Sequence, residues 1–242
     1  MDKIIIIPAR MQSVRFPGKV IFPINGIPMV VRTAKCAKQV DDCSHVAVAT
    51  DNLEVEAVCK EWGISTLRTG EHSNGTERCA EAARMLALRD DDQVINLQAD
   101  LPYIQPDLLH NMFKLTPHYI VTAAVEMKDG PLEDPNMVKV VMDRGQNALW
   151  FSRLPIPQGS AVWHNHIGAY GFENKYLQEY TKLPACDVEK SSSLEQLRIL
   201  FYMSRRIKVL ITKDDCISVN TPSDIEKLKI YWPEGQVNGH VI

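Results

Sequence analysis

The chain has 242 residues, enough for one large domain or for one domain with a smaller lobe grown out of it, and too few for two comfortable independent domains. Its 45% hydrophobic and 24% charged residues match a soluble globular protein, and no apolar run approaches the roughly 20 residues that span a bilayer. A net charge of −3 excludes a general attraction to nucleic acid, so any anion must be held by a local basic cluster. Ile4 to Ile7 suit a strand buried on both faces. The run stops at Pro8 and passes into a segment carrying Arg10, Ser13, Arg15 and Lys19. It is too short for the apolar core of a secretory signal, and a cytoplasmic location is expected.

Pro23 to Pro28 reads as a turn with Asn25-Gly26 at its tip, and Pro28 is placed to be the first residue of a helix running to about Gln39. Val46 to Thr50 is a predicted strand. Asn52 caps a predicted helix that reaches Trp62 and ends at Gly63. A short strand over Ile64 to Leu67, a helix over Gly75 to Leu88 and a strand over Gln93 to Gln98 follow. This alternation predicts βαβ units, hence an α/β fold with a doubly wound, mostly parallel sheet.

After a helix over Asp107 to Leu115 the rhythm changes. Ile120 to Met127, Val138 to Met142, Ala148 to Phe151 and His166 to Phe172 read as strands with few helices between them, which predicts a smaller mixed-sheet lobe. Helices are expected over Leu194 to Met203 and Pro222 to Tyr231, with a strand over Ile207 to Thr212 between them. No repeat or low-complexity linker interrupts the chain, so residues 1–242 form one domain whose smaller lobe, about 116–242, shares the sheet of the half over about 1–115.

In an open parallel sheet, ligands collect beyond the carboxyl ends of the strands. There the segment after Ile7 offers three cations, a hydroxyl and Gly18, a set suited to a polyphosphate; on spacing alone a solvated basic loop is equally open. It is not a Walker A loop, and no G-x-G-x-x-G occurs. Asp100, at the end of a buried strand, reads as a turn residue or as a ligand at the same edge. Ser73 to Arg78 opens a helix, either as a plain capped start or as an anion-receiving end. His164 and His166, two apart with no third ligand nearby, do not make a zinc site. The six cysteines lack a C-x-x-C pair and read as small buried hydrophobes.

The segment IIPARMQSVRFPGK (6–19) resembles the first signature of the bacterial 3-deoxy-manno-octulosonate cytidylyltransferases, the CMP-Kdo synthetases. PINGIPMV, VATDN, HSNGTER, INLQADLP, DPNMVKVV, ALWFSRLPIP, HIGAYGF, LEQLR and VNTPSDI follow in family order, and the likeness runs from residue 4 to about 228. The resemblance implies a glycosyltransferase-A-like nucleotidyltransferase fold, usually dimeric, that joins CTP and Kdo to give CMP-Kdo and pyrophosphate with Mg²⁺. The half over about 1–115 then binds nucleotide, and the lobe over about 116–242 binds sugar and dimerises. Partners are CTP and an acidic, Kdo-like sugar, with no nucleic acid and no membrane.

The resemblance further implies Asp100, Lys19 and Arg10 as catalytic groups, and Arg10, Ser13, Lys19, Asn74, Gly75, Thr76 and Arg78 around the nucleotide. It places Gln98, Arg153, His166, Tyr170, Glu195 and Gln196 around the sugar, although Glu195 and Gln196 also read as an exposed helical face and Arg153 as a surface arginine. The metal would lie at Asp100 and Asn220. Three positions depart from the family. Leu101 stands where an acid is usual, Asn220 replaces the second metal-binding aspartate and doubles as a possible cap of the Pro222 helix, and Asn74 replaces a serine. Leu101, His164 and Leu154 are candidates for tuning the choice of sugar. Alternative readings are therefore a transferase for 8-amino-Kdo or a nonulosonic acid, and a catalytically inactive nucleotide-binding paralogue.

Overall fold

The computed structural model describes residues 1–13, 15–128, 130–157, 159, 162–213, 216–231, 236–237 and 240–241. In chain order these form β1 (Lys3–Pro8), a 3₁₀ turn (Lys19–Ile21), β2 (Pro23–Ile24), β3 (Ile27–Pro28), α1 (Met29–Ala37), β4 (His45–Thr50), α2 (Leu53–Glu61), β5 (Ser65–Arg68), α3 (Gly75–Met85), β6 (Gln93–Leu97) and α4 (Pro106–Leu115). The second half adds β7 (Ile120–Met127), β8 (Lys139–Met142), β9 (Ala148–Ser152), β10 (Trp163–Glu173), α5 (Asn174–Tyr180), α6 (Asp187–Ser192), α7 (Leu197–Tyr202), β11 (Ile207–Thr212), α8 (Pro222–Tyr231), β12 (Gln236–Val237) and β13 (His240–Val241).

Among the described residues one nine-stranded sheet runs through both halves in the order β11-β7-β10-β6-β1-β4-β5, and β8 joins β9 to β10. β1 pairs parallel with β4 and β6, β4 with β5, and β11 with β7. β10 runs antiparallel between β6 and β7 and so welds the late half of the chain to the early one. The expected mostly parallel sheet with a mixed extension is what forms.

The isoleucine run serves two cores at once. Ile5 and Ile7 pack with Val30, Val31 and Ala34 of α1 and with Leu109 and Phe113 of α4. Ile4 and Ile6 face the other way, onto Cys79, Ala80 and Ala83 of α3 and onto Tyr180. Period-two alternation puts neighbours on opposite faces, and because helices cover both, every one of these residues is apolar. A third cluster joins Phe16 of the opening loop to Ile24, Met29 and Tyr103, to Val219 ahead of α8 and to Ile225 and Leu228 within it. Loop and late helix are thus held together by burial of side chains far apart in sequence.

Several boundaries differ from expectation. Asn25 and Gly26 both have positive φ, 48° and 76°, the signature of a tight hairpin between β2 and β3; Pro28 belongs to that hairpin and sits before the helix instead of in it. The helix expected over Leu194 to Met203 starts only at Leu197, because Ser193 is left-handed and Leu194 to Gln196 form a turn. β10 begins at Trp163, three residues before the expected start, since the polar run His164-Asn165-His166 hides its strand character. α5 and α6, of seven and six residues, are too short to show a helical period and were not expected. No disulfide joins the six cysteines; Cys43 is half-buried and the others are buried. Among the described residues no helix is long and apolar enough to cross a membrane.

Phe16→Ala should cost about 3–5 kcal/mol by emptying the contact between loop and late helix. Urea unfolding would read the loss, and hydrogen exchange should rise more in 219–228 than in β1. A cost below about 1 kcal/mol would show that the third cluster does not hold the two segments together.

Candidate active site

The carboxyl ends of β1 and β6 open onto a cleft of about 1140 Å³ whose walls come from both halves of the chain. Arg10, Asn74, Gly75, Arg78, Gln98, Asp100, Arg153, His166, Tyr170, Glu195, Gln196 and Asn220 all line it. Of the remaining expected residues, Lys19 reaches the cleft through Asp100 and Thr76 lies buried against Glu195, while Ser13 is half-buried and off the wall.

At the floor, Lys19 Nζ donates to Asp100 Oδ2 at 2.6 Å and to the Val219 carbonyl at 3.0 Å, while Val219 N donates to the Asp100 carbonyl at 2.9 Å. The loop after β1, the end of β6 and the approach to α8 are knotted there. Asn220 follows directly, and its Oδ1 accepts from Arg15 Nη2 at 3.3 Å. It does not cap α8. Asp224 Oδ2 instead takes the backbone N–H groups of Asn220 and Thr221 and the Thr221 hydroxyl, which forms the capping unit and leaves the Asn220 carboxamide for other use.

At one end of the cleft, Asn74 caps α3 by accepting from Glu77 N at 2.9 Å. Gly75 is there for close approach: a Cβ would sit 2.8 Å from Gln98 Nε2 and 3.2 Å from Pro8 Cγ. Arg78 is buried and spends its guanidinium on Asp51, Thr69 and Gly70, tying the end of β4 to the turn before α3. Its place is beneath the cleft wall as a brace.

On the far side, Thr76 Oγ1 donates to Glu195 Oε1 at 3.0 Å and accepts from Asn96 Nδ2. Burial lifts the Glu195 carboxyl above the ordinary carboxylate range, against the pull of the Thr76 hydrogen bonds. Arg198 forks onto Glu189 at 2.8 and 2.6 Å, reaches Glu77 at 2.9 Å and stacks 4.4 Å from the Tyr180 ring centre. It joins α6 and α7 to the first turn of α3. His166 lies between Phe151 and Tyr170, with ring centres 5.0 and 5.4 Å away, and burial lowers its pKa to about 3. Arg153 gives all three of its nitrogens to the carbonyls of Pro135, Ser192 and Ser193, so it is a brace for the lobe as much as a surface cation.

Asp224, Arg198 and the buried Thr122 of β7 were not singled out from sequence, and Arg15 was counted among the three loop cations without a role of its own. Arg15 had the same signal as Arg10, and Thr221-x-x-Asp224 has capping-box spacing. Thr122 gave no signal, being a small polar residue inside an apolar strand. Leu101 is 2% exposed and packs into the core at the cleft wall, whereas His164 and Leu154 do not line the cleft.

Asp100 and Asn220 offer oxygen donors that already attract cationic side chains. Among the described residues no three His, Cys, Asp or Glu side chains cluster as a metal cage. One carboxylate and one amide oxygen suit Mg²⁺, which completes its shell with phosphate oxygens and water.

A family model described as cytidylyltransferase matches residues 4–207. A 3-deoxy-manno-octulosonate cytidylyltransferase of Helicobacter pylori is 40% identical, covering 95% of this chain and 98% of its own. An 8-amino-3,8-dideoxy-manno-octulosonate cytidylyltransferase of Shewanella pealeana is also 40% identical, over 93% of this chain and 96% of its own. Among solved structures, a CMP:2-keto-3-deoxy-manno-octonic acid synthetase complexed with CTP superposes with a TM-score of 0.86 at 32% identity, covering 96% of this chain and 98% of the other.

Arg198→Met should cost about 3–5 kcal/mol, because Glu189 and Glu77 would keep their charges in a partly buried site without a counterion. Chemical denaturation measures this. A loss under about 1 kcal/mol would mean that water reaches both carboxylates and the arginine does not brace the lobe.

Proposed function

The chain belongs to the cytidylyltransferase family, and on that premise we propose that it transfers CMP from CTP to the anomeric hydroxyl of 3-deoxy-manno-octulosonate, or of a close acidic analogue, and releases pyrophosphate. The observation that carries this reading is the knot of Lys19, Asp100 and Val219 at the floor of a cleft that is also lined by Arg10, Glu195 and His166.

The sugar oxygen attacks the α-phosphorus, the bond from that phosphorus to the bridging oxygen of pyrophosphate breaks, and the hydroxyl proton leaves to water. Little covalent work falls to the protein, so positioning and charge balance supply the acceleration. Arg10, Lys19 and Arg15 hold the triphosphate and offset the charge on departing pyrophosphate. The amides opening α3 face the base, with Gly75 keeping the passage to Gln98 clear. Glu195, Gln196, His166, Tyr170 and Gln98 surround the sugar, with Arg153 near its carboxylate. Asp100 and Asn220 would hold Mg²⁺, which when bound supplies further neutralisation of phosphate charge.

A homodimer fits the same picture. Leu149 and Trp150 on β9 are 57% and 41% exposed, Phe201 and Tyr202 at the end of α7 are 61% and 41% exposed, and α7 packs against β9. Among the described residues β9 pairs with β8 alone, so exposed apolar side chains border a free strand edge, a combination that favours a second copy. CTP as a substrate and reduced cysteines point to the cytoplasm.

Pyrophosphate release from CTP in the presence of Kdo, 8-amino-Kdo and a nonulosonic acid tests the reading and separates its variants. Turnover with Kdo is expected, and Asp100→Ala should lower it by orders of magnitude while circular dichroism is unchanged. CTP binding with no turnover on any acceptor would mean a catalytically inactive paralogue. Asn220→Asp restores a charge beside Asp100 and should lower the Mg²⁺ concentration for half-maximal activity several-fold. An unaltered Mg²⁺ dependence would remove Asn220 from the metal site.

A further inference from the structure

β7 and β10 pair in register until a slip between Ile167 and Tyr170, and at that slip the buried Thr122 side chain of β7 meets three polar atoms of β10. Thr122 Oγ1 lies 2.8 Å from the Ala169 carbonyl oxygen, 3.3 Å from the Ile167 carbonyl oxygen and 2.9 Å from His166 Nε2. A hydroxyl has one proton, and carbonyl oxygens only accept. The proton therefore goes to Ala169, the shorter contact, with Ile167 as a weaker second acceptor. What remains for His166 is an oxygen lone pair, so the contact is a hydrogen bond only if Nε2 carries the hydrogen. The opposite arrangement would set two carbonyl oxygens against a hydroxyl oxygen whose proton points elsewhere.

The ring is otherwise held between Phe151 and Tyr170, and its backbone N–H donates to the Val138 carbonyl at 2.7 Å. Burial keeps it neutral. A neutral imidazole protonated on Nε2 has its lone pair on Nδ1. No protein group among the described residues hydrogen-bonds Nδ1, and the residue lines the cleft.

We propose that Thr122 is a positioning residue that locks His166 in its Nε2–H tautomer, so that Nδ1 faces the bound sugar as an acceptor for a hydroxyl and not as a donor to its carboxylate. The tautomer lock stands on the geometry alone; the sugar contact rests on the function proposed above. An acceptor at this point selects for a hydroxyl and against a second negative group, which sharpens the division of labour with Arg153 across the cleft.

Nitrogen-15 NMR of the full-length, histidine-labelled protein reads the tautomer directly, with His166→Gln used only to assign the signal. The wild type should show a protonated Nε2 and an unprotonated Nδ1 at neutral pH. Thr122→Ser keeps the hydroxyl and should keep both the tautomer and the kinetics. Thr122→Val removes it and should lose the single tautomer while raising the sugar KM about tenfold, with the KM for CTP unchanged. A protonated Nδ1 in the wild type would overturn the lock, and this measurement needs no variant to fold. An unaltered sugar KM in folded Thr122→Val would overturn the sugar contact. Turnover on no sugar acid, with the Nε2–H tautomer observed, would overturn the proposed function and leave the lock standing.

Discussion

A single ammonium group sets the register at the centre of this molecule. Lys19 Nζ, on the loop that leaves the first strand, is shared between a carboxylate 81 residues later and a carbonyl 200 residues later. Neither contact is a deep ion pair: the side chains of Lys19 and Asp100 are 15% and 21% exposed. At that depth the Coulomb term is moderate and the desolvation cost partial, so the pair contributes register more than stability. Burial of Phe16 against Val219, Ile225 and Leu228 supplies the holding energy, and the lysine decides where the oxygens lie.

A second linkage closes the other end of the cleft. Thr76 at the start of α3 touches Glu195, and Glu77 beside it touches Arg198, so two consecutive residues of α3 are tied to the segment that carries α6 and α7. The two walls of the cleft thus share one edge. Thr76 makes that link through both its hydroxyl and its backbone N–H, and packed elements move together because interiors are close-packed. The antiparallel β10 does the same through the sheet, lying against β6 with one edge and β7 with the other.

The departures from the family pattern acquire physical meaning in this setting. Leu101 is buried at the cleft wall among Leu97, Ala99 and Ile104, where a carboxylate would have to surrender its hydration. Asn220 keeps an oxygen donor and drops a charge, and Arg15 takes that oxygen up. Asn74 keeps the capping oxygen that a serine would supply.

Much of the fold was legible because it rests on local pattern. The isoleucine run could only be a strand covered on both faces, Asn25-Gly26 could only be a tight turn, and Asn52 and Asn74 cap helices whose periodicity was visible; motifs in family order named the chemistry. What a one-dimensional reading could not reach depends on contacts between distant segments. The left-handed Ser193 that delays α7, the recruitment of Thr221 and Asp224 in place of Asn220 as the cap, and the use of Arg78 and Arg153 as braces are set by partners with no sequence signature. The same holds for Thr122, an unremarkable residue in an apolar strand until a register slip in β10 brings three polar atoms to its hydroxyl. The sequence by itself determined the longer secondary elements and which residue types gather at the cleft, since propensity and period are local properties. Only the tertiary structure decided which polar atoms are satisfied within the protein and which are left for a ligand, because hydrogen-bond satisfaction is a property of three-dimensional neighbours.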